Sequence, residues 1–225
     1  MSCEDFRGIA ISAIISKVFE YCFIEKFSEF ISTDNKLFGF KKGMGMGCSH
    51  AIYIVRHVVE RFIKGGNKVN LCAIDLSKAF DIVNDHALLM KLMKRKCLEF
   101  YSSMVRDCVL SYTFAVKFGV RHGSVLSPFL FAIYLDNIPV NRCLILSSFV
   151  VMYADGILLI APSVSELQRR FHACKLELSC LDICINIKKS CCIRIGPRCD
   201  VKYASILTIK GHNIGLAKYD IWIHA

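Results

Sequence analysis

Two aspartates in this chain stand where apolar runs end. Asp155 interrupts Val150-Val151-Met152-Tyr153-Ala154-Asp155-Gly156-Ile157-Leu158-Leu159-Ile160-Ala161. Asp-Gly between apolar, β-rich segments signals a hairpin turn, because glycine tolerates positive φ. The flanks are apolar enough that only the tip of such a hairpin meets water. A carboxylate there is either an ordinary turn aspartate or a metal ligand. Asp75 lies near the end of a second apolar run, Asn70 to Leu76. Two such carboxylates on one sheet edge suit Mg²⁺, which binds through one or two carboxylates together with substrate phosphates. Paired metals held this way clamp the attacking and leaving oxygens of phosphoryl transfer.

Asp75 and Asp155 are far apart in the chain, so the elements around them must bring them together. Ile9 to Phe30 reads as helix, broken by Ser32-Thr33-Asp34-Asn35. The glycines from Gly39 to Gly47 match no phosphate-loop pattern, since no Gly-Lys-Ser/Thr closes them. Ser49 is placed to cap a helix with Ile52, Val55, Val59 and Phe62 at helical spacing, ended by Gly65-Gly66. Asn70 to Leu76 is a strand. Asn84 or Asp85 caps a helix through Leu88, Leu92 and Met93, with Lys94, Arg95 and Lys96 favourably placed in its last turn. Phe114 to Phe118 is expected as strand, Gly119 to Ser127 as loop, and Ser127-Pro128 as a helix start.

After the hairpin, Ser163-x-x-Glu166 is a capping box opening a helix whose Val164, Leu167, Phe171, Cys174, Leu178 and Leu181 keep a core-facing 3-4 spacing. Ile183 to Ile187 and Cys191 to Ile195 are short strands around Lys188-Lys189, and the tail after Pro197 has no clear pattern. From Asn70 onward the order is β-α-β-β-α-β with extra helix in the first crossover. Strands joined through helices run parallel in one sheet. The C-terminal ends of the Asn70 strand and of the hairpin's first strand then share an edge, and Asp75 and Asp155 with them.

A chain of 225 residues fits one large domain or two small ones with ample material for a core. Its mean hydropathy of +0.44 is high for a soluble protein. Yet the longest apolar stretch, Leu144 to Ala161, would bury Asp155 in a bilayer, so no membrane span is expected there. Met1 to Asp5 carries no basic n-region and no apolar signal core follows. The expectation is an intracellular protein, in nucleus or cytoplasm and not secreted. Thirteen cysteines then read as reduced, buried small hydrophobes, and their spacing lacks the paired C-x-x-C of a zinc site. Lys and Arg number 29 against 19 Asp and Glu, a net charge of +10 that suits a polyanion such as nucleic acid.

Three blocks resemble successive motifs of the reverse transcriptases of non-LTR (LINE-type) retrotransposons. They are Ala73-Ile74-Asp75-Leu76-Ser77-Lys78-Ala79-Phe80-Asp81, Gly119-Val120-Arg121-His122-Gly123-Ser124-Val125-Leu126-Ser127-Pro128 and Tyr153-Ala154-Asp155-Gly156. Arg7-Gly8-Ile9-Ala10-Ile11-Ser12 with Lys17 and Glu20, and Phe38-Gly39-Phe40-Lys41-Lys42-Gly43, resemble the family's earlier finger motifs. Asn186-Ile187-Lys188-Lys189-Ser190 resembles its later lysine motif.

The resemblance implies an α+β fold with fingers over residues 1–69 and a palm over 70–200. The palm would be a ferredoxin-like antiparallel sheet with helices on one face, and 201–225 a degenerate tail toward an absent thumb. It implies RNA-directed DNA polymerase chemistry with RNA template, DNA primer and dNTPs as partners, and Mg²⁺ or Mn²⁺ as cofactor. Asp75 and Asp155 would bind the metals. Phe80 would gate against a ribose 2′-OH, or be a plain core phenylalanine. Lys41 or Lys42 would contact triphosphate, Gly123 and Ser124 would let backbone approach template and nucleotide, and Tyr153 would line the nucleotide site. Lys189 would be a proton donor or phosphate contact.

The match departs at Gly156, which replaces the second aspartate of the family's Tyr-x-Asp-Asp hairpin. His122 stands for a usual glutamine and Asn137 for a common aspartate, and Tyr219-Asp220-Ile221-Trp222 resembles a damaged Tyr-Leu-Gly motif. The expectation is a truncated, degenerate copy with impaired polymerase activity. The alternatives are a catalytically dead nucleic-acid-binding remnant or a relic without function.

Overall fold

A computed structural model describes residues 14–31, 37–38, 47–77, 79–95, 124–136, 148–196, 206–207 and 213–216. In chain order these form α1 (Ile14–Lys26), α2 (Ser28–Ile31), β1 (Leu37–Phe38), α3 (Cys48–Lys64), β2 (Val69–Ser77), α4 (Asp85–Lys94) and α5 (Ser127–Leu135). There follow β3 (Phe149–Tyr153), β4 (Gly156–Ala161), α6 (Val164–Cys180), β5 (Cys184–Ile185), β6 (Cys191–Ile195), β7 (Ile206–Leu207) and β8 (Asn213–Leu216). The chain divides into two compact units, residues 1–34 with 78–137 and residues 35–77 with 138–225. The expected strand at Phe114 to Phe118 lies outside the described residues.

The second unit is built on a mixed, mainly antiparallel sheet of order β1-β3-β4-β2-β6-β8-β7, with β5 also pairing β2. β2 is antiparallel to β4 from Asn70↔Ala161 to Asp75↔Gly156, and to β6 from Val69↔Ile195 to Ala73↔Cys191. β3 is antiparallel to β4. β2 and β3 therefore run in the same direction, as expected, but with β4 between them. β8 pairs parallel to β6 and antiparallel to β7 in the tail where the sequence showed no pattern. Strands of two and four residues are too short to display a period.

Successive strand residues face opposite sides of a sheet. On one side of β2, Val69 and Leu71 with Ile160 of β4 take Val58 and Val59 of α3. On the other, Cys72 lies within electrostatic reach of Cys174 of α6, whose Leu167, Phe171 and Leu178 are also buried. Helices thus cover both faces of this sheet, α6 from within residues 70–200 and α3 from the segment before them. The first six residues of β2 are nearly all buried regardless of parity, and such a strand needs cover on both sides.

In the first unit α4 packs on α5. Asn84 is the cap chosen, its side chain accepting from the backbone N–H of His86 and Ala87. Its own N–H donates to the Tyr134 hydroxyl at 3.3 Å. The Lys91 ammonium donates to the Tyr134 carbonyl and lies 5.3 Å from the centre of that residue's ring, and Arg95 pairs with Asp136.

Other caps differ from expectation. α3 is preceded by Gly47 with no side-chain cap, and Ser49 lies inside the helix. Ser163 accepts from the Glu166 N–H at 3.2 Å. The Glu166 carboxylate turns instead to Arg169 and, at 3.0 Å, to the buried Arg170, so only half of the capping box forms.

The hairpin turn is displaced by one residue from the Asp-Gly reading. Tyr153 pairs with Gly156, so Ala154-Asp155 are the two turn residues, and Ala154 adopts φ 52° while Gly156 begins β4. Apolar pairing along β3, β4 and β2 sets this register, and the left-handed conformation falls on alanine.

Among the eight described cysteines all are free thiols. Cys72, Cys174 and Cys192 are buried, whereas Cys22, Cys48, Cys180 and Cys184 are exposed. The expectation of buried cysteines therefore holds for only some. Burial pushes the Cys174 thiol up to about 12. Its hydrogen bond with Cys192, and then burial, hold Cys72 protonated well above the ordinary thiol range.

Three outcomes follow from this packing. Ala154→Gly should raise the free energy of unfolding by roughly 0.5–1 kcal/mol, because it relieves the left-handed alanine. Phe171→Ala should lower it by about 3–5 kcal/mol through the cavity left under the sheet. Denaturant midpoints check both. In alkylation at pH 8 the exposed thiols should be modified first, with Cys72 and Cys174 labelled only on unfolding; mass spectrometry of time points reads the order.

Candidate active site

β2 carries Asp75 two residues before its end, and the β3–β4 turn carries Asp155. Because β2 and β3 run the same way, both carboxylates arrive at one end of the sheet within one unit. The turn is tied to β2 directly: the Leu76 N–H donates to the Asp155 carbonyl at 3.3 Å. Both aspartates are half-buried. The residue directly across from Asp75 is Gly156. Opposed residues in an antiparallel pair hold their Cβ atoms about 4.5–5.5 Å apart. A side chain at position 156 would therefore stand beside Asp75.

Tyr153, at the other side of the turn, is 39% exposed at the end of β3. Next to it an apolar groove of about 740 Å³ runs between α3 and the sheet, lined by Ile52, Val55, Leu71, Val151 and Tyr153 among others. No carboxylate lines it, and Arg56 and Gly156 are also among its lining residues.

Lys189 is exposed in a turn between β5 and β6, and that turn is bonded to Asp75. The Asp75 N–H donates to Ser190 Oγ at 3.1 Å, and the Asn186 N–H donates to the Asp75 carbonyl at 2.8 Å. Asp75, Asp155, Tyr153, Gly156 and Lys189 thus share one unit. Phe80 and Ser124 belong to the other. The Phe80 ring stacks on Phe131 of α5 with centroids 4.4 Å apart, so it is a packed ring as well as a candidate gate. Ser124 is buried. Lys41, Lys42 and Gly123 lie outside the described residues.

Among the described residues no group of three or more His, Cys, Asp and Glu side chains converges as a metal cluster. Asp75 and Asp155 would supply two carboxylates, and hard oxygen ligands of that number fit one Mg²⁺ whose remaining positions go to phosphate and water. Gly156, which stands where the resembling motif has a second aspartate, lies opposite Asp75.

Glu20 of α1 has a role that its place in a motif did not disclose. The residue is 2% exposed, and its Oε2 accepts from Ser124 Oγ at 3.0 Å and from the N–H groups of Val125 and Leu126 at 2.6 and 3.4 Å. α5 has no side-chain cap of its own, so a carboxylate from a distant helix supplies one and also complements the positive end of the helix dipole. The other oxygen, Oε1, is buried without a hydrogen-bond partner. No signal of this role in the sequence set it apart from Glu25 in the same helix.

Glu20→Ala should destabilise by about 1–3 kcal/mol, since it removes the acceptor of the Val125 N–H and the Ser124 hydroxyl while the Leu126 N–H keeps Ser124 Oγ at 3.2 Å. Glu20→Gln, which keeps one accepting oxygen, should cost less. Chemical denaturation ranks the two, and equal losses would contradict the capping role.

The sequence profile of the family described as reverse transcriptase (RNA-dependent DNA polymerase) matches residues 2–210. No curated protein matches the chain. Among solved structures, telomerase from Candida albicans, in complex with a TWJ fragment of telomeric RNA, is similar with a TM-score of 0.52 at 11% identity. The match covers 87% of this chain and 35% of that one. Telomerase from Candida tropicalis, in the same kind of complex, is similar at TM-score 0.54 and 12% identity, covering 83% and 34%. At such identities the likeness speaks for fold alone, and the chain spans about a third of the length of these telomerases.

Proposed function

The chain belongs to the reverse transcriptase (RNA-dependent DNA polymerase) family, and on that premise we propose that residues 70–200, whose described strands lie in the second unit, are the palm of a LINE-type enzyme whose nucleotidyl-transfer site is impaired by Gly156. The observation that carries the reading is the register that sets Asp75 directly opposite Gly156, with Asp155 next to it in the turn. The strand order β3-β4-β2-β6 supports the ferredoxin-like arrangement of that palm, and the spelling of the motif blocks supports the retrotransposon type.

In this reading Asp75 and Asp155 hold divalent metal, Mg²⁺ or Mn²⁺. The ion, when bound, neutralises triphosphate charge and favours attack by a primer hydroxyl at the α-phosphorus. The protein's own groups orient and select. Tyr153 borders the nucleotide, Phe80 restricts the sugar's 2′ position, and Ser124 lets the backbone of its loop approach the base pair. Lys189 meets the leaving pyrophosphate as proton donor or phosphate contact. RNA template and DNA primer lie along a surface of a chain carrying net charge +10, in whichever of nucleus or cytoplasm holds both.

Gly156 weakens this site by one carboxylate. At an effective dielectric near 20, a carboxylate roughly 4 Å from a unit charge is worth about 4 kcal/mol, or about a thousandfold in rate. Restoring the side chain meets one close neighbour: a Cβ at Gly156 would lie 3.3 Å from the Tyr153 carbonyl oxygen, so the hairpin backbone must give by a few tenths of an ångström.

Gly156→Asp should therefore raise single-nucleotide incorporation on an RNA template by roughly a thousandfold over the parent. Because the new carboxylate faces Asp75, the variant should melt lower than the parent in EDTA and gain more from Mg²⁺. Equal incorporation by parent and variant would refute this account of the defect. A second reading, a nucleic-acid binder without catalysis, is favoured by the same glycine. It predicts template–primer affinity that falls steeply with salt in both proteins, with no incorporation in either.

A further inference from the structure

β2 has an interrupted neighbour at the position that matters most. Its ladder with β6 ends at Ala73↔Cys191, and its ladder with β5 begins at Leu76↔Ile185. Between those points the segment joining β5 to β6 leaves the sheet as the turn 186–190, and Asp75 lies opposite the gap.

The main-chain groups of Asp75 are nevertheless paired, and with the base of that turn. The Asp75 N–H donates to Ser190 Oγ at 3.1 Å, the Ser190 hydroxyl donates to the Asn186 carbonyl at 2.7 Å, and the Asn186 N–H donates to the Asp75 carbonyl at 2.8 Å. The Ser190 N–H also donates to the Asn186 carbonyl, at 3.0 Å, and the Lys189 N–H to Asn186 Oδ1, at 3.3 Å. Ser190 is 4% exposed, while Lys188 and Lys189 at the crown are exposed. One buried hydroxyl replaces the missing ladder bond and simultaneously closes the turn.

We propose that Ser190 is a positioning residue that fixes the Lys189 turn against the main chain of Asp75, so that lysine and carboxylate are delivered to the same substrate as one rigid piece. The inference rests on the reading of Asp75 and Lys189 given above, but its structural half is independent of activity. A hydroxyl is needed because the position must accept from the Asp75 N–H and donate to the Asn186 carbonyl. Alanine leaves the Asp75 N–H buried and unpaired, whereas threonine keeps both bonds. Ser190 acts through Lys189, so its effect should disappear when that lysine is removed.

Two measurements test this. In the chain as it stands, amide hydrogen exchange at Asp75 and Lys189 should accelerate roughly tenfold in Ser190→Ala and stay near the parent rate in Ser190→Thr. Leu71 and Cys72, deeper in the same strand, should change little. Unchanged exchange at Asp75, or a uniform rise along β2, overturns the proposal.

In the Gly156→Asp background, Ser190→Ala should slow nucleotide incorporation by about tenfold, and by less than about twofold when Lys189→Ala is already present, with threonine restoring the rate. The same tenfold loss in the absence of the lysine overturns the coupling. Absence of incorporation in Gly156→Asp itself counts against the polymerase reading, and the exchange rates at Asp75 then decide the positioning alone.

Discussion

The register between β2 and β4 is the constraint on which the site depends. Side chains alternate with a period of two, so a slip of one residue would carry Asp75 to the opposite face and replace Gly156 as its partner. The register is held by apolar pairs on both faces, Leu71 with Ile160 and Ala73 with Leu158 on one, Cys72 with Leu159 and Ile74 with Ile157 on the other. Each buried aliphatic side chain contributes about 1.5–3 kcal/mol, and a slip would also misplace α3 and α6. The carboxylates are thus positioned by residues that take no part in chemistry.

Polar contacts then place what the sheet leaves undefined. At the break between β5 and β6 the serine hydroxyl and the asparagine backbone complete the hydrogen bonding of Asp75. In the other unit Glu20 completes the start of α5. Both devices satisfy buried N–H groups that local secondary structure cannot reach, and both fasten segments carrying candidate functional residues, Lys189 and Ser124. Local strain falls in the same region: Ala154 holds a left-handed backbone at the hairpin tip, consistent with the tendency of costly conformations to gather at functional sites.

The helix through Leu167, Phe171, Cys174 and Leu178 was legible because its period is long and its burial strict, and the strands at Asn70 and Cys191 because their apolar runs are bounded by turn residues. The order of the motif blocks made the family legible as well. What the sequence misplaced were local choices decided by neighbours. The turn moved from Asp155-Gly156 to Ala154-Asp155 because cross-strand packing outweighs the glycine preference. Ser49 is not a cap because α3 begins at Cys48. The tail strands went unseen because β8 gains its definition from β6 and not from its own four residues.

The sequence by itself determined which residues could do chemistry, that Asp75 and Asp155 would end parallel-running strands, and that position 156 departs from its motif. These are properties of residue type and order. Only the tertiary structure decided that Gly156 of β4 faces Asp75 of β2, that α3 and α6 cover opposite faces of the sheet, and that Ser190 binds the lysine turn to β2. Such relations arise between segments far apart in the chain, where the register of one strand on another, and the need of each buried N–H for a partner, select one arrangement among many that the local sequence permits.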